Sequence, residues 1–174
     1  MAKGIELRRH TEADGDVLTS NGIRAAVDIG SRLDGDYALF VSSGAQRATQ
    51  TLACFLAGLG RRFDHGATVD PVFRSEMEAR WFEAAKRGGG GGLESFRAVD
   101  PELVEEEARR FGEGLRKVFD SLPESGRALI VGHSPMHEVA VYGLTGKIVP
   151  PIAKGAGVLV VASEEGFSVE LLTT

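Results

Sequence analysis

The sequence is short of cysteine, of surplus positive charge and of long apolar runs, and each shortage closes off a class of protein. Among its 174 residues there is one cysteine, Cys54, so an internal disulfide is impossible. That side chain is expected to be a small buried hydrophobe. Lys and Arg number 20 against 25 Asp and Glu, a net charge of −5. No cationic surplus exists to neutralise a phosphate backbone, so nucleic acid is not the expected partner; a local cationic pocket stays open. No stretch approaches the ~20 apolar residues of a membrane span. "MAKGIELRR" also lacks the apolar core of a signal peptide. The expectation is a cytoplasmic protein without a membrane partner.

Two other patterns are missing. "KRGGGGGLES" has neither the Gly-Lys-Ser/Thr ending nor the preceding strand of a phosphate-binding P-loop. Its glycines, Gly88–Gly92, are expected to form a flexible lid or link. His133 and His137 are spaced as helical neighbours, but no His-Glu-x-x-His and no third ligand accompany them. No metal and no cofactor are expected.

What is present is ordinary in bulk: 43% hydrophobic and 26% charged residues, in a length that suits one domain over residues 1–174. Gly4–Arg9 alternates and reads as a strand. "LTSNGIRAAVDIGSRL" reads as a helix capped by Thr19 or Ser20, with Ile23, Ala26, Val27 and Leu33 inward. "YALFVSS" is a strand buried on both faces. "GAQRATQTLACFLAGLG" is a helix stopped at Gly60. "ATVDPVF" is a short strand ending at Pro71. "SEMEARWFEAAKR" is a helix anchored by Trp81 and Phe82. "PELVEEEARRFGEGLRKVFDSL" is a long amphipathic helix burying Leu103, Ala108, Phe111, Leu115 and Phe119. Its run Glu105–Arg110 reads as a solvated face. "RALIVGH" is another buried strand. "SPMHEVAVYGLTG" is a helix capped by Ser134, with Pro135 as its first residue and Glu138 serving its dipole. "GVLVVAS" and "FSVELLT" form an edge hairpin. Strands alternating with helices predict an α/β layer fold.

Three stretches converge. "LRRHTE" puts His10 just past the first strand. "SSGAQRATQT" puts Arg47 in the first turn of the following helix. "VGHSP" puts His133 just past a later strand and ahead of a capped helix. Ligands of open α/β sheets bind beyond the carboxyl ends of the strands, so Arg9, His10, Arg47 and His133 can share one rim. Two guanidinium forks match phosphate oxygens. Helix starts near Ser43 and Ser134 add amides and dipole. A histidine among such cations stays neutral and can act as a nucleophile. The chemistry suits phosphoryl transfer.

These stretches resemble the three signature segments of the histidine phosphatase superfamily, the phosphoglycerate-mutase-like proteins, in order and over essentially the whole chain. The resemblance implies a three-layer α/β/α sandwich with a mostly parallel sheet and an antiparallel edge. It implies that His10 becomes phosphorylated and that Arg9, Arg47 and His133 complete the phosphate pocket. With the adjoining Thr11 and Ser134, these make the expected substrate-binding set. In many relatives a glutamate supplies the leaving-group proton; Glu76 aligns best with it and Glu78 second. Small phosphohistidine phosphatases of the superfamily lack that glutamate.

Thr11 stands where the superfamily has glycine. A β-branched residue tolerates positive φ poorly, so either the loop bends and the pocket weakens, or the Thr11 hydroxyl becomes an additional donor. The asparagine that phosphoglycerate mutases carry has no counterpart near Asp14–Val17, which argues against a mutase. The expected activity is hydrolysis of a phosphomonoester, without metal, through phospho-His10. A phosphohistidine phosphatase is the alternative enzyme. A non-catalytic module that binds phosphate or a phosphoprotein is the alternative of another class. Specificity is expected to lie in Arg74–Arg97.

Overall fold

The computed structural model describes residues 2–88 and 90–174. The chain runs β1 (Lys3–Arg9), β2 (Ala13–Asp14), β3 (Val17–Leu18), α1 (Ser20–Arg32), β4 (Tyr37–Ser42), α2 (Gln46–Leu59) and β5 (Ala67–Val69). A 3-10 turn at Pro71–Phe73 leads to α3 (Glu78–Gly88), α4 (Leu93–Val99) and α5 (Pro101–Ser121). Then come β6 (Arg127–Gly132), α6 (Met136–Thr145), β7 (Gly157–Ser163) and β8 (Gly166–Leu172).

The main sheet has the order β5-β4-β6-β1-β7-β8. Strands β1, β4, β5 and β6 are parallel; β7 and β8 add an antiparallel edge. The period of two along each strand divides the core. On β6, Ala128 and Ile130 join the cluster under α5 and α6, whereas Leu129 and Val131 join the cluster under α1 and α2. Helices therefore cover both faces, as expected of the sandwich. The central position of β1 also buries its polar residues. Glu6 accepts from Arg8 Nε at 2.8 Å and from the Tyr37 hydroxyl at 2.6 Å.

The helix starts and stops are mostly those read from the sequence. Thr19 caps α1 by accepting from the Gly22 N–H, and Gly60 ends α2 in the left-handed region at φ 62°. Two helices turn other faces inward than their hydropathy predicts. Ile23, Val27 and Phe82 are exposed, while α1 buries Gly22, Ala26, Ile29 and Gly30. The reason is close backbone contact. A Cβ on Gly30 would stand 2.4 Å from the Phe55 carbonyl oxygen of α2. A Cβ on Gly143 of α6 would stand 1.8 Å from the Ala108 oxygen of α5. Helix pairs this close seat glycine, not large apolar side chains, at the crossing.

Other expectations also shift. Cys54 is half-buried rather than buried. Helix α4, which buries Leu93 and Phe96, occupies a stretch with no assigned element. Of the glycine run Gly88–Gly92, Gly88 closes α3 and Gly92 caps α4, while Gly89 lies outside the described residues. The cap of α6 is Pro135, one residue later than expected, with no side-chain hydrogen bond. No helix among the described residues is long and apolar enough to cross a membrane.

Candidate active site

Strands β4, β6 and β1 are adjacent and parallel, so their carboxyl ends open on one rim. Hydrogen bonds carry the ladder just past those ends: His10 N–H to Gly132 O at 3.0 Å, and Ser43 N–H to Val131 O at 3.1 Å. This places Arg9–His10, Ser43 and His133 side by side. Arg47 arrives from the first turn of α2. Arg9, His10, Arg47, His133 and Ser134 line one cavity of about 390 Å³. The ring centroids of His10 and His133 are 5.5 Å apart.

The hydrogen bonds fix where the protons sit. His10 Nδ1 is 2.7 Å from the Thr11 carbonyl oxygen. A carbonyl can only accept, so Nδ1 carries the hydrogen and Nε2 keeps the lone pair. For His133, Arg47 Nη2 donates to Nδ1 at 3.3 Å, so Nε2–H donates to Ser43 Oγ at 2.7 Å. Burial pushes the His10 pKa down to about 4; Arg47, Arg9 and Lys154 push the same way, against the bond to Thr11. Burial first, then Arg47, pushes His133 down to about 3. Both rings are therefore neutral at pH 7.

The arginines are held from behind. Arg9 Nη1 donates to the Ile152 carbonyl at 2.9 Å, and its buried Nε has no partner. The Ile152 N–H donates to Glu138 Oε1 at 2.8 Å, and Ser134 Oγ donates to the same oxygen. Glu138 stands in the first turn of α6, where its charge faces the helix dipole; it is also buried and braces two walls of the cavity. Burial raises its pKa. Asp16 accepts from the Arg47 guanidinium at 2.8 Å, and from the backbone N–H groups of Gln46 and Arg47. Those helix amides are therefore occupied rather than free for a ligand.

Several sequence-based assignments change. Thr11 does not line the cavity. Its hydroxyl donates to the Gly22 carbonyl at 2.8 Å, and its N–H donates to Thr51 Oγ1 at 3.2 Å. It does not have positive φ, for Ser125 alone does among the described non-glycine residues. The loop is unstrained there, and the hydroxyl is spent inside the fold. Glu76 points away: its side chain is 87% exposed, and its ion pair is with Arg110 at 3.9 Å. Glu78 lines the cavity and accepts from Arg74 Nε at 3.1 Å.

Glu107, expected in a solvated run, is buried, accepting from Ser75 Oγ and from Trp81 Nε1 at 3.3 Å. Burial pushes the His137 pKa down to about 4, and its ring donates from Nε2 to the Arg8 carbonyl at 2.9 Å. The hold of Asp16 on Arg47 and the contact of Glu138 with Ile152 are not readable from the sequence, since the partners lie 31 residues away and in an unpatterned loop.

No protein-family model matches the sequence, and no curated protein is similar to it at a significant level. Solved structures do match. A phosphoglycerate mutase from Bacillus anthracis str. Sterne superposes with a TM-score of 0.74 at 16% identity, over 98% of this chain and 92% of that one. A phosphoserine phosphatase from Entamoeba histolytica, in complex with 3-phosphoglyceric acid, gives 0.75 at 14% identity, over 99% of this chain and 98% of that one. The protein histidine phosphatase SixA, complexed with tungstate, gives 0.62 at 18% identity, over 98% and 96% of the two chains. The fold is that of the phosphoglycerate-mutase-like histidine phosphatases.

Proposed function

We propose that the protein is a metal-independent phosphatase that hydrolyses a phosphomonoester through a phosphohistidine on His10. The observation that carries this reading is the cavity where Arg9, Arg47, His10 and His133 meet, with the lone pair of His10 left on Nε2. The similarity to solved histidine phosphatases supports it.

In the first step the Nε2 lone pair attacks phosphorus. The bond to the ester oxygen breaks, and that oxygen takes a proton from Glu78, whose carboxylate, paired with Arg74, has first accepted it from the monoanionic substrate phosphate. Positive charge on the phosphorylated ring is shared with the Thr11 carbonyl through Nδ1–H. Arg9 and Arg47 hold the equatorial oxygens as charge develops on them. His133 adds a neutral hydrogen-bonding wall. In the second step water attacks the phosphorus and gives a proton to Glu78. The P–N bond breaks, its electron pair returns to Nε2, and inorganic phosphate takes the proton back from Glu78 and leaves. A positioned general acid contributes about 10²–10⁴-fold.

Glu78 on the cavity wall favours ester substrates over phosphohistidine, whose nitrogen leaving group protonates readily without such an acid. The ordinary backbone at Thr11 removes the motive for a binding module without turnover. The test is steady-state turnover of p-nitrophenyl phosphate, with a rapid quench to trap acid-labile, alkali-stable phosphate on the chain. His10→Ala should lose both. Turnover that survives His10→Ala overturns the proposal.

A further inference from the structure

Beyond the two arginines and the two histidines, most of the cavity lining is apolar. That apolar wall is Trp81, Phe82 and Ala85 of α3, Phe96 of α4, and Pro135 and Met136 at the start of α6. Trp81 and Phe96 pack edge to face with centroids 5.1 Å apart, so the aromatic corner is fixed. The single polar atom of Trp81 is turned away to Glu107. The indole therefore offers the cavity carbon only. Phe82 is 67% exposed at this wall, although it contributes nothing to the core. Phe82 is not isolated there: with Trp81, Ala85, Phe96, Pro135 and Met136 it makes one apolar lining in a concave site, the kind of surface that binds a ligand.

Charge is as telling. Besides Arg9 and Arg47, the one charged side chain of the lining is Glu78. The neighbouring cation, Arg74, is paired with it and lies outside the lining, as does Lys154. A carboxylate on the leaving group would meet Glu78 and aromatic carbon, with no free counter-charge on the wall. An ammonium group could reach only the acid that the reaction needs. A volume of about 390 Å³ holds a phosphate and one ring-sized group, at the small end of ligand pockets.

Resting on the phosphatase reading above, we infer that the substrate is a small phosphomonoester whose alcohol half is uncharged, apolar and about the size of one ring. Trp81, Phe82 and Phe96 select it. Phosphate is bound at one end of the cavity, and the ring fills the other.

The test compares alkyl esters, so that intrinsic reactivity is matched. Purified protein is assayed on 2-phenylethyl phosphate, phosphoserine and 3-phosphoglycerate, and on a phosphohistidine peptide. The expected kcat/KM for 2-phenylethyl phosphate is about 10- to 100-fold above the charged esters, the range for burying one aromatic side chain. Phe82→Ala, at an exposed position that the fold tolerates, should lower that kcat/KM several-fold, chiefly through KM. Phe82→Arg should shift preference toward 3-phosphoglycerate. His10-dependent turnover with the charged esters or the peptide preferred, or equal to 2-phenylethyl phosphate, overturns this inference alone. Loss of all His10-dependent turnover, p-nitrophenyl phosphate included, overturns the phosphatase reading and this inference with it.

Discussion

Asp16 holds Arg47 twice, accepting from its guanidinium at 2.8 Å and from its backbone N–H at 3.3 Å. Its other carboxylate oxygen accepts from the Gln46 N–H at 3.2 Å. The local N-cap of α2 is Ala45, which has no side-chain acceptor. A carboxylate from a distant loop therefore caps the helix and aims its arginine at the cavity. Asp16→Ala should lower stability by about 1 kcal/mol, the usual cost of a lost cap. It should also raise KM for any phosphomonoester several-fold, because Arg47 is released. Urea denaturation and steady-state kinetics read the two effects. Unchanged stability would show that the remote cap does no work.

Glu138 predicts a contrast between two substitutions. Its Oε1 accepts from the Ile152 N–H and from Ser134 Oγ, while Oε2 is buried without a partner. Glu138→Gln keeps an acceptor oxygen and removes a carboxylate that burial disfavours. Its stability should stay within about 1 kcal/mol of the wild type. Glu138→Ala strands one buried donor, the Ile152 N–H, at about 1–3 kcal/mol, and frees the half-buried Ser134 hydroxyl. It also loosens the Ile152 loop that holds Arg9, so kcat/KM should fall with it. Equal stability of the two variants would refute the bracing role.

The parts of this molecule that were legible in its sequence are those written in side-chain hydropathy and in short motifs. The buried runs at Tyr37–Ser42 and Arg127–Gly132 are neighbours in the sheet, and His10, Arg47 and His133 do share a rim. What was not legible involves either the backbone or a remote partner. Ile23 and Val27 looked like core because glycine carries no hydropathy, yet Gly22 and Gly30 make the inner face of α1. Glu107 looked solvated in a charged run, because only the fold supplies Ser75, Trp81 and Arg110 around it. Glu76 aligned better than Glu78, but a helix that begins at Glu78 aims one of them inward. Thr11 looked like a strained replacement, because sequence does not report its φ.

The buried histidines set an acid limit on stability. Burial holds His10 and His137 near 4 and His133 near 3, against about 6.5 for a free histidine. The unfolded chain therefore binds more protons in that window. The contribution is full above pH 6.5 and is lost as pH falls through 4 and then 3. The slope is about 1.4 kcal/mol per pH unit for each ring neutral in the fold and charged in the unfolded chain. Glu138, raised by burial, acts in the opposite sense and gains as pH falls. Denaturant midpoints at pH 7 and pH 5 should differ clearly in favour of pH 7. If they coincide, the three rings are not neutral inside the fold.

The contact between α5 and α6 gives a purely steric prediction. At Gly143 a methyl group would meet the Ala108 carbonyl oxygen at 1.8 Å, which no rotamer can relieve. Alanine gains about 1 kcal/mol of helix propensity over glycine. Overpacking costs about 1–3 kcal/mol or more, and an enforced backbone separation belongs at the upper end. Gly143→Ala should thus be net destabilising, read as a lower Tm. Gly146→Ala, with open space but φ 71°, should cost less. The reverse order would mean that the helices can part without cost.

The two glutamates around the start of α3 offer the sharpest chemical test. Glu78 lines the cavity, and Glu76 is exposed toward Arg110. A general acid matters in proportion to how badly the leaving oxygen needs its proton. p-Nitrophenolate leaves unaided; an alkoxide does not. Glu78→Gln should therefore cut kcat on 2-phenylethyl phosphate by about 10²-fold or more, and kcat on p-nitrophenyl phosphate far less. Glu76→Gln should change neither rate appreciably. Because Arg74 also loses its charged partner in Glu78→Gln, the Arg74→Gln single variant is the control for electrostatics alone. A loss of equal size on both esters in Glu78→Gln would assign that residue to binding instead of proton transfer. A large, leaving-group-dependent loss in Glu76→Gln would restore the acid to the position that the sequence alignment favoured.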